Sequence, residues 1–127
     1  VTVTSLDEAL LKKCIGVVED YIDDSDLNVE KLCHEVGVSR PQLYRKLKSL
    51  TGMSINQFIR SIRLKRAAQL LSQDASSIKE VMYKVGFSNS SYFTRAFKEE
   101  FNCTPKAFYE RSKSKPEPFN SDQKDVE

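Results

Sequence analysis

The sequence of 127 residues predicts an all-α fold of about seven helices, arranged as two helix-turn-helix subdomains joined by a long linker helix. Three observations carry this. Four S-x-x-E/Q capping boxes, Ser5 to Glu8, Ser39 to Gln42, Ser54 to Gln57 and Ser77 to Glu80, mark helix starts. Apolar residues recur at helical spacing, and no stretch alternates with the period of two that a half-buried strand requires. Finally, the chain resembles itself at a shift of about fifty residues.

In chain order, Leu11, Ile15, Val18 and Ile22 fall at i, i+4, i+7 and i+11, so residues 7 to 23 are predicted to form an amphipathic helix. Asn28 caps a short helix over 29 to 36, closed by Gly37, which is free to adopt the left-handed conformation. Ser39 opens a third helix with Leu43, Leu47 and Leu50 inward and Gly52 at its end. Pro41 is tolerated there because the first turn has no internal N–H partner to lose. The fourth helix, 55 to 72, sets Ile55, Phe58, Ile59 and Ile62 on one side, and its length suits it to bridge two lobes. Three further helices are expected over 78 to 85, 90 to 101 and 105 to 112, the last with Thr104 as cap and Pro105 at its first position. Residues 113 to 127 are polar with two prolines and are expected to be a disordered tail.

The net charge of +2 conceals a strong polarisation. Residues 1 to 35 hold nine acids against three lysines, whereas residues 36 to 73 hold eight basic residues and no acid. Such asymmetry points to a polyanionic partner, although a solvated basic helix accounts for the charge alone equally well. Cys14, Cys33 and Cys103 are odd in number and lack CxxC spacing, which argues for ordinary thiols in a reducing compartment. His34 adjoins Cys33, but helix neighbours diverge by about 100°, so no metal or other cofactor is expected. With no run of about 18 apolar residues and no export leader, the chain is expected to be cytoplasmic and to make no membrane contact of its own.

The internal repeat gives these helices a plan. Residues 29 to 39 lie over 78 to 88 at a shift of 49; from Leu43 the shift is 50, pairing Leu43 with Phe93, Arg45 with Arg95, Leu47 with Phe97, Lys48 with Lys98 and Gly52 with Asn102. Each half reads as helix, glycine-containing turn and capped helix, the order of a helix-turn-helix whose second helix enters the DNA major groove. Single copies are common in helical cores. Two copies with basic and hydroxyl side chains outward suit two major-groove segments about 34 Å apart.

The segment GFSNSSYFTRAFKEEFNCTPKAFYERS, Gly86 to Ser112, resembles the C-terminal signature of the AraC/XylS family of transcription regulators. LCHEVGVSRPQLYRKLKSLTGMSINQFIRSIRLKRAAQLL resembles the same family's first unit and linker, so the likeness covers roughly residues 25 to 112. Within it, SRPQLYRKLKSLTG is similar to the output domain of bacterial hybrid two-component regulators. The resemblance implies three parts: residues 1–24 leading from an upstream module, a double helix-turn-helix over 25–112, and the tail over 113–127. It implies double-stranded DNA as partner and receiver and sensor kinase modules upstream, and it admits RNA polymerase as a contact and a dimer of the full-length protein.

Carried over by position, the resemblance assigns base readout to Arg40, Pro41, Tyr44 and Arg45 in the first unit and to Ser90, Ser91, Tyr92, Thr94 and Arg95 in the second. Arg45 and Arg95 are the natural guanine readers, because a guanidinium bonds O6 and N7 together. Pro41 departs from the larger polar or aromatic residue often found there and offers only apolar contact. Ser39, Lys46, Lys48, Asn89 and Lys98 are assigned to phosphates. Competing readings stand beside these: Arg95 as an internal ion-pair partner, Tyr44 and Tyr92 as packing residues, and Arg60, Arg63, Lys65 and Arg66 as solvated or intramolecular charges. For the whole chain, a helical protein-interaction module is the competing function. An enzyme has little support, since no acid, base or nucleophile constellation and no phosphate loop is present.

Overall fold

The computed structural model describes residues 3–73 and 76–114, and among these it shows seven α-helices and no strand. They are α1 (Ser5–Asp20), α2 (Val29–Val36), α3 (Arg40–Thr51), α4 (Ile55–Ser72), α5 (Ile78–Lys84), α6 (Ser90–Phe101) and α7 (Pro105–Ser114). The expected tail lies, from residue 115, outside the described residues.

Helix α1 departs from expectation at both ends. Its capping box is Thr4 with Asp7, one position before the Ser5 to Glu8 box: the Asp7 amide donates to Thr4 Oγ1 at 3.1 Å, and the Thr4 amide donates to the Asp7 carboxylate at 3.2 Å. The helix stops at Asp20 rather than continuing to residue 23. Glu19 and Asp20 oppose the negative end of the helix dipole and no basic residue in the last turn offsets them. Past them, Asp24 Oδ1 accepts the Asp26 amide at 2.8 Å in a local turn that competes with the helix. The inward stripe is centred on Cys14 and Val18, both fully buried, with Leu11, Ile15 and Ile22 at its half-buried margins. Burial, aided by the nearby Cys33, pushes the Cys14 thiol up to about 11.

The two copies of the repeat fold alike in detail. After α2 the Val38 amide donates back to the Cys33 carbonyl at 3.2 Å, and after α5 the Phe87 amide donates to Met82 at 3.0 Å; both turns carry a glycine with positive φ, Gly37 and Gly86. The second helices also close alike. Gly52 (φ 78°) and Asn102 (φ 63°) are left-handed caps whose amides bond the Lys48 and Lys98 carbonyls at 2.9 and 2.8 Å. Thr104 Oγ1 caps α7 by accepting the Ala107 amide at 3.1 Å, and α7 then packs along α4.

Two hydrophobic cores result, and α4 belongs to both. Ile55, Phe58 and Ile59 join Cys14, Val18, Leu32, Leu43 and Leu47 in the first; Leu64, Ala67 and Leu71 join Val81, Val85, Phe93 and Phe97 in the second. The first is largely aliphatic, whereas the second is built on aromatic contacts among Phe93, Phe97, Phe101 and Phe108. Ile22 touches both. Between the two apolar stretches of α4 lie Ser61 and Arg63, polar and yet buried. An 18-residue helix is about 27 Å long, which suffices to hold the cores side by side.

Candidate nucleic-acid interface

Helix α3 is twelve residues long, too short to persist alone in water. Leu43 and Leu47, fully buried, hold it against the first core at roughly 1.5–3 kcal/mol each. At 100° per residue this turns Pro41, Arg45 and Lys48 away from the protein. In α6, Phe93 and Phe97 are the anchors and Ser91, Arg95 and Lys98 the outward positions. All fourteen residues expected to contact DNA are solvent-exposed: Ser39, Arg40, Pro41, Tyr44, Arg45, Lys46, Lys48, Asn89, Ser90, Ser91, Tyr92, Thr94, Arg95 and Lys98. They form two groups, one on each second helix.

Several have work inside the protein as well. Ser39 Oγ accepts the Gln42 amide at 3.3 Å and Asn89 Oδ1 the Tyr92 amide at 2.8 Å, so both cap their helices. At Ser39 the expected box is half made, because its hydroxyl bonds the Gln42 side chain at 3.2 Å while its own amide is left out. Lys46 pairs with Asp7 at 2.9 Å, tying α3 to α1; its side chain remains 54 % exposed, so a phosphate oxygen can share the ammonium. The Lys46 hydrogen bond, followed by that from the Thr4 amide, holds the Asp7 carboxyl below the usual range. Arg95 makes no ion pair among the described residues; its guanidinium lies 5.8 Å from the centre of the Tyr92 ring. Tyr44 and Tyr92 are 45 % and 40 % exposed, and the Tyr92 ring also lies 5.8 Å from that of Phe87.

The linker charges are mostly intramolecular. Lys65 pairs with Glu100 at 3.0 Å, and Ser61 donates to the same carboxylate at 3.1 Å, fixing the last turn of α6 on α4. Arg60 Nη1 donates to the Tyr92 hydroxyl at 3.3 Å near the start of α6. Arg63 is 6 % exposed and donates to two main-chain carbonyls, Gly86 at 2.8 Å and Asp24 at 2.7 Å. Burial pulls its pKa down, opposed by the charge of Asp24. Sequence periodicity placed Arg63 on the linker helix but gave no sign that it is buried. Asp7 and Glu100 were missed as partners because each lies more than thirty positions from the lysine it meets.

A cleft of about 440 Å³ separates the two units, lined among others by Asn56, Arg60, Arg63, Ser88, Asn89 and Tyr92. Its lining contains no acid and mixes these polar side chains with the apolar Leu27, Ile59 and Phe87.

Residues 32–111, well over half of the chain, match the family model described as a helix-turn-helix domain. The chain belongs to the AraC/XylS family of helix-turn-helix DNA-binding transcription regulators. Among curated relatives of this AraC/XylS domain, the histidine kinase P4 of Formosa agariphila is 42 % identical over 111 residues, 87 % of this chain and 8 % of that protein. The helix-turn-helix-type transcriptional regulator MtrA of Neisseria gonorrhoeae is 35 % identical over 96 residues, 76 % of this chain and 30 % of that protein. The chain thus spans well under two thirds of either relative. An AraC-type transcriptional regulator structure from Chromobacterium violaceum superposes with a TM-score of 0.78 at 28 % identity, covering 89 % of this chain and all of that one. No described helix of the AraC/XylS domain is long and apolar enough to cross a membrane.

Proposed function

We propose that this domain binds double-stranded DNA sequence-specifically, with α3 and α6 reading adjacent major-groove segments of one duplex. The observation that carries the reading is the pair of equivalent helices, each anchored by two fully buried residues and presenting its basic and hydroxyl side chains to solvent. Arg40, Pro41, Tyr44 and Arg45 read the first segment, and Ser90, Ser91, Tyr92, Thr94 and Arg95 the second. Lys48 and Lys98, with no acid partner among the described residues, meet phosphates; Ser39, Asn89 and Lys46 do so while keeping their internal bonds. Residues 25–112 form the DNA-binding unit. The likeness to a protein named a histidine kinase, of which this chain spans 8 %, supports a place as output domain of a two-component signalling protein.

Selection of bound duplexes from a random pool tests the reading. Wild type is expected to recover a site with two conserved blocks about one helical turn apart. Arg45→Ala and Arg95→Ala are each expected to cost about 1–3 kcal/mol and to relax a different block, with effects that add because the sites share no partner. If neither substitution alters the recovered sequence, these arginines are not readers. Both are exposed, so circular dichroism is expected to show intact folding.

A further inference from the structure

The two copies of the repeat differ at their turn glycines. A Cβ built on Gly37 meets nothing within 4 Å. One built on Gly86 would lie 2.6 Å from the Ile22 carbonyl oxygen and would run into the Arg63 guanidinium. The space at Gly86 is therefore taken by a side chain that has no counterpart at Gly37. Arg63 spans three segments: it stands on the linker helix, bonds Asp24 in the turn leading into the first unit, and bonds Gly86 in the turn of the second. Its Nε is buried without a partner among the described residues.

Stability alone is a poor explanation of this arrangement. A buried charge costs several kcal/mol to desolvate, and apolar residues of similar volume often replace buried ionic groups without loss. What a guanidinium supplies, and an apolar side chain does not, is a rigid planar fork with donors at fixed directions. Held at 2.8 and 2.7 Å, two carbonyls from different units are fixed relative to one plane. Of the side chains at the seam, Ile22 packs against both cores and Arg63 bonds to both turns. One base-pair step is about 3.4 Å of rise along the duplex, so play of that size between the units would let α6 slip to the neighbouring base pair.

We propose that Arg63 is a positioning residue which, beyond the ties of α6 to α4, holds the turn of the second unit against the first and thereby sets the base-pair spacing between the two half-elements that the domain accepts. This rests on the DNA reading given above. Arg63 touches no base in this account; it acts through the Asp24 and Gly86 turns.

The test compares wild type, Arg63→Met and Arg63→Lys on duplexes carrying the selected site with its spacer shortened by one, unchanged, or lengthened by one base pair, and on each half-element alone. Wild type is expected to lose at least about tenfold in affinity for each shifted spacer, at 1.4 kcal/mol per tenfold. Arg63→Met is expected to bind all three spacers within about threefold of one another, with unchanged affinity for single half-elements, and Arg63→Lys to fall between. Residual dipolar couplings on the free proteins supply a readout independent of DNA. The two units of wild type are expected to share one alignment tensor, and those of the variants to diverge. Wild-type spacer discrimination in Arg63→Met overturns the proposal; if that variant does not fold, the same result in Arg63→Lys does. Separate tensors for the two units of wild type overturn it with no variant needed. A wild type that prefers no sequence removes the DNA reading and the spacing claim with it, while the couplings still decide whether Arg63 orients the units.

Discussion

At the scale of single residues, the repeat pairs positions whose backbone needs are the same and whose side chains differ. Asn102 is the plainest case: it takes the left-handed cap that glycine takes at Gly52, and it is the one described non-glycine residue with positive φ. A side chain costs about 1–2 kcal/mol in that region, less for asparagine. Asn102→Gly is accordingly expected to be neutral or to stabilise by up to about 1 kcal/mol, and Asn102→Val to destabilise by more, as read by urea denaturation; equal stability of the two variants would show that the cap is unstrained. The Gly52–Asn102 pairing was legible in the sequence because a left-handed cap admits few residue types. The burial of Arg63 was not, because its partners are main-chain carbonyls, which every residue carries and no pattern reveals.

Helix boundaries were readable to within one or two residues wherever a serine or asparagine cap met a glycine or asparagine stop, as in α2, α3 and α6. Helix α1 lacks such a stop, and its ends were misplaced. Its attachment to α3 depends in part on the Asp7–Lys46 pair. Because the folded protein holds the Asp7 carboxyl below its ordinary value of 3.8, the pair contributes fully above that value, and the contribution is lost as pH falls through the lower folded value. Wild type is therefore expected to melt at higher temperature than Asp7→Asn near neutral pH, and the two are expected to converge below pH 3.8. A melting-temperature gap that does not change with pH would show that ionisation of Asp7 is not what stabilises the attachment.

For the whole molecule, the architecture followed from the capping boxes and the repeat, while the charge distribution needed the structure. The basic stretch from 36 to 73 has no acid of its own, yet folding brings Asp7 to Lys46 and Glu100 to Lys65 and buries Arg63. Arg40, Arg45 and Lys48 in the first unit and Arg95 and Lys98 in the second remain without an acid partner among the described residues. If the three lysines assigned to phosphates, Lys46, Lys48 and Lys98, displace counterions, the logarithm of the binding constant is expected to fall with that of salt concentration at a slope of about −3, steeper if the arginines also neutralise phosphates. Fluorescence anisotropy between about 50 and 200 mM salt measures it, and a slope near zero would remove the electrostatic reading altogether. The linker helix sets a further condition, on folding. Because α4 supplies three buried residues to each core, opening either unit uncovers half of that helix, and the two copies of the repeat are expected to unfold together despite their separate cores. The shared helix is therefore where amide exchange is expected to be slowest, with the most protected hydrogens in the middle turns of α4.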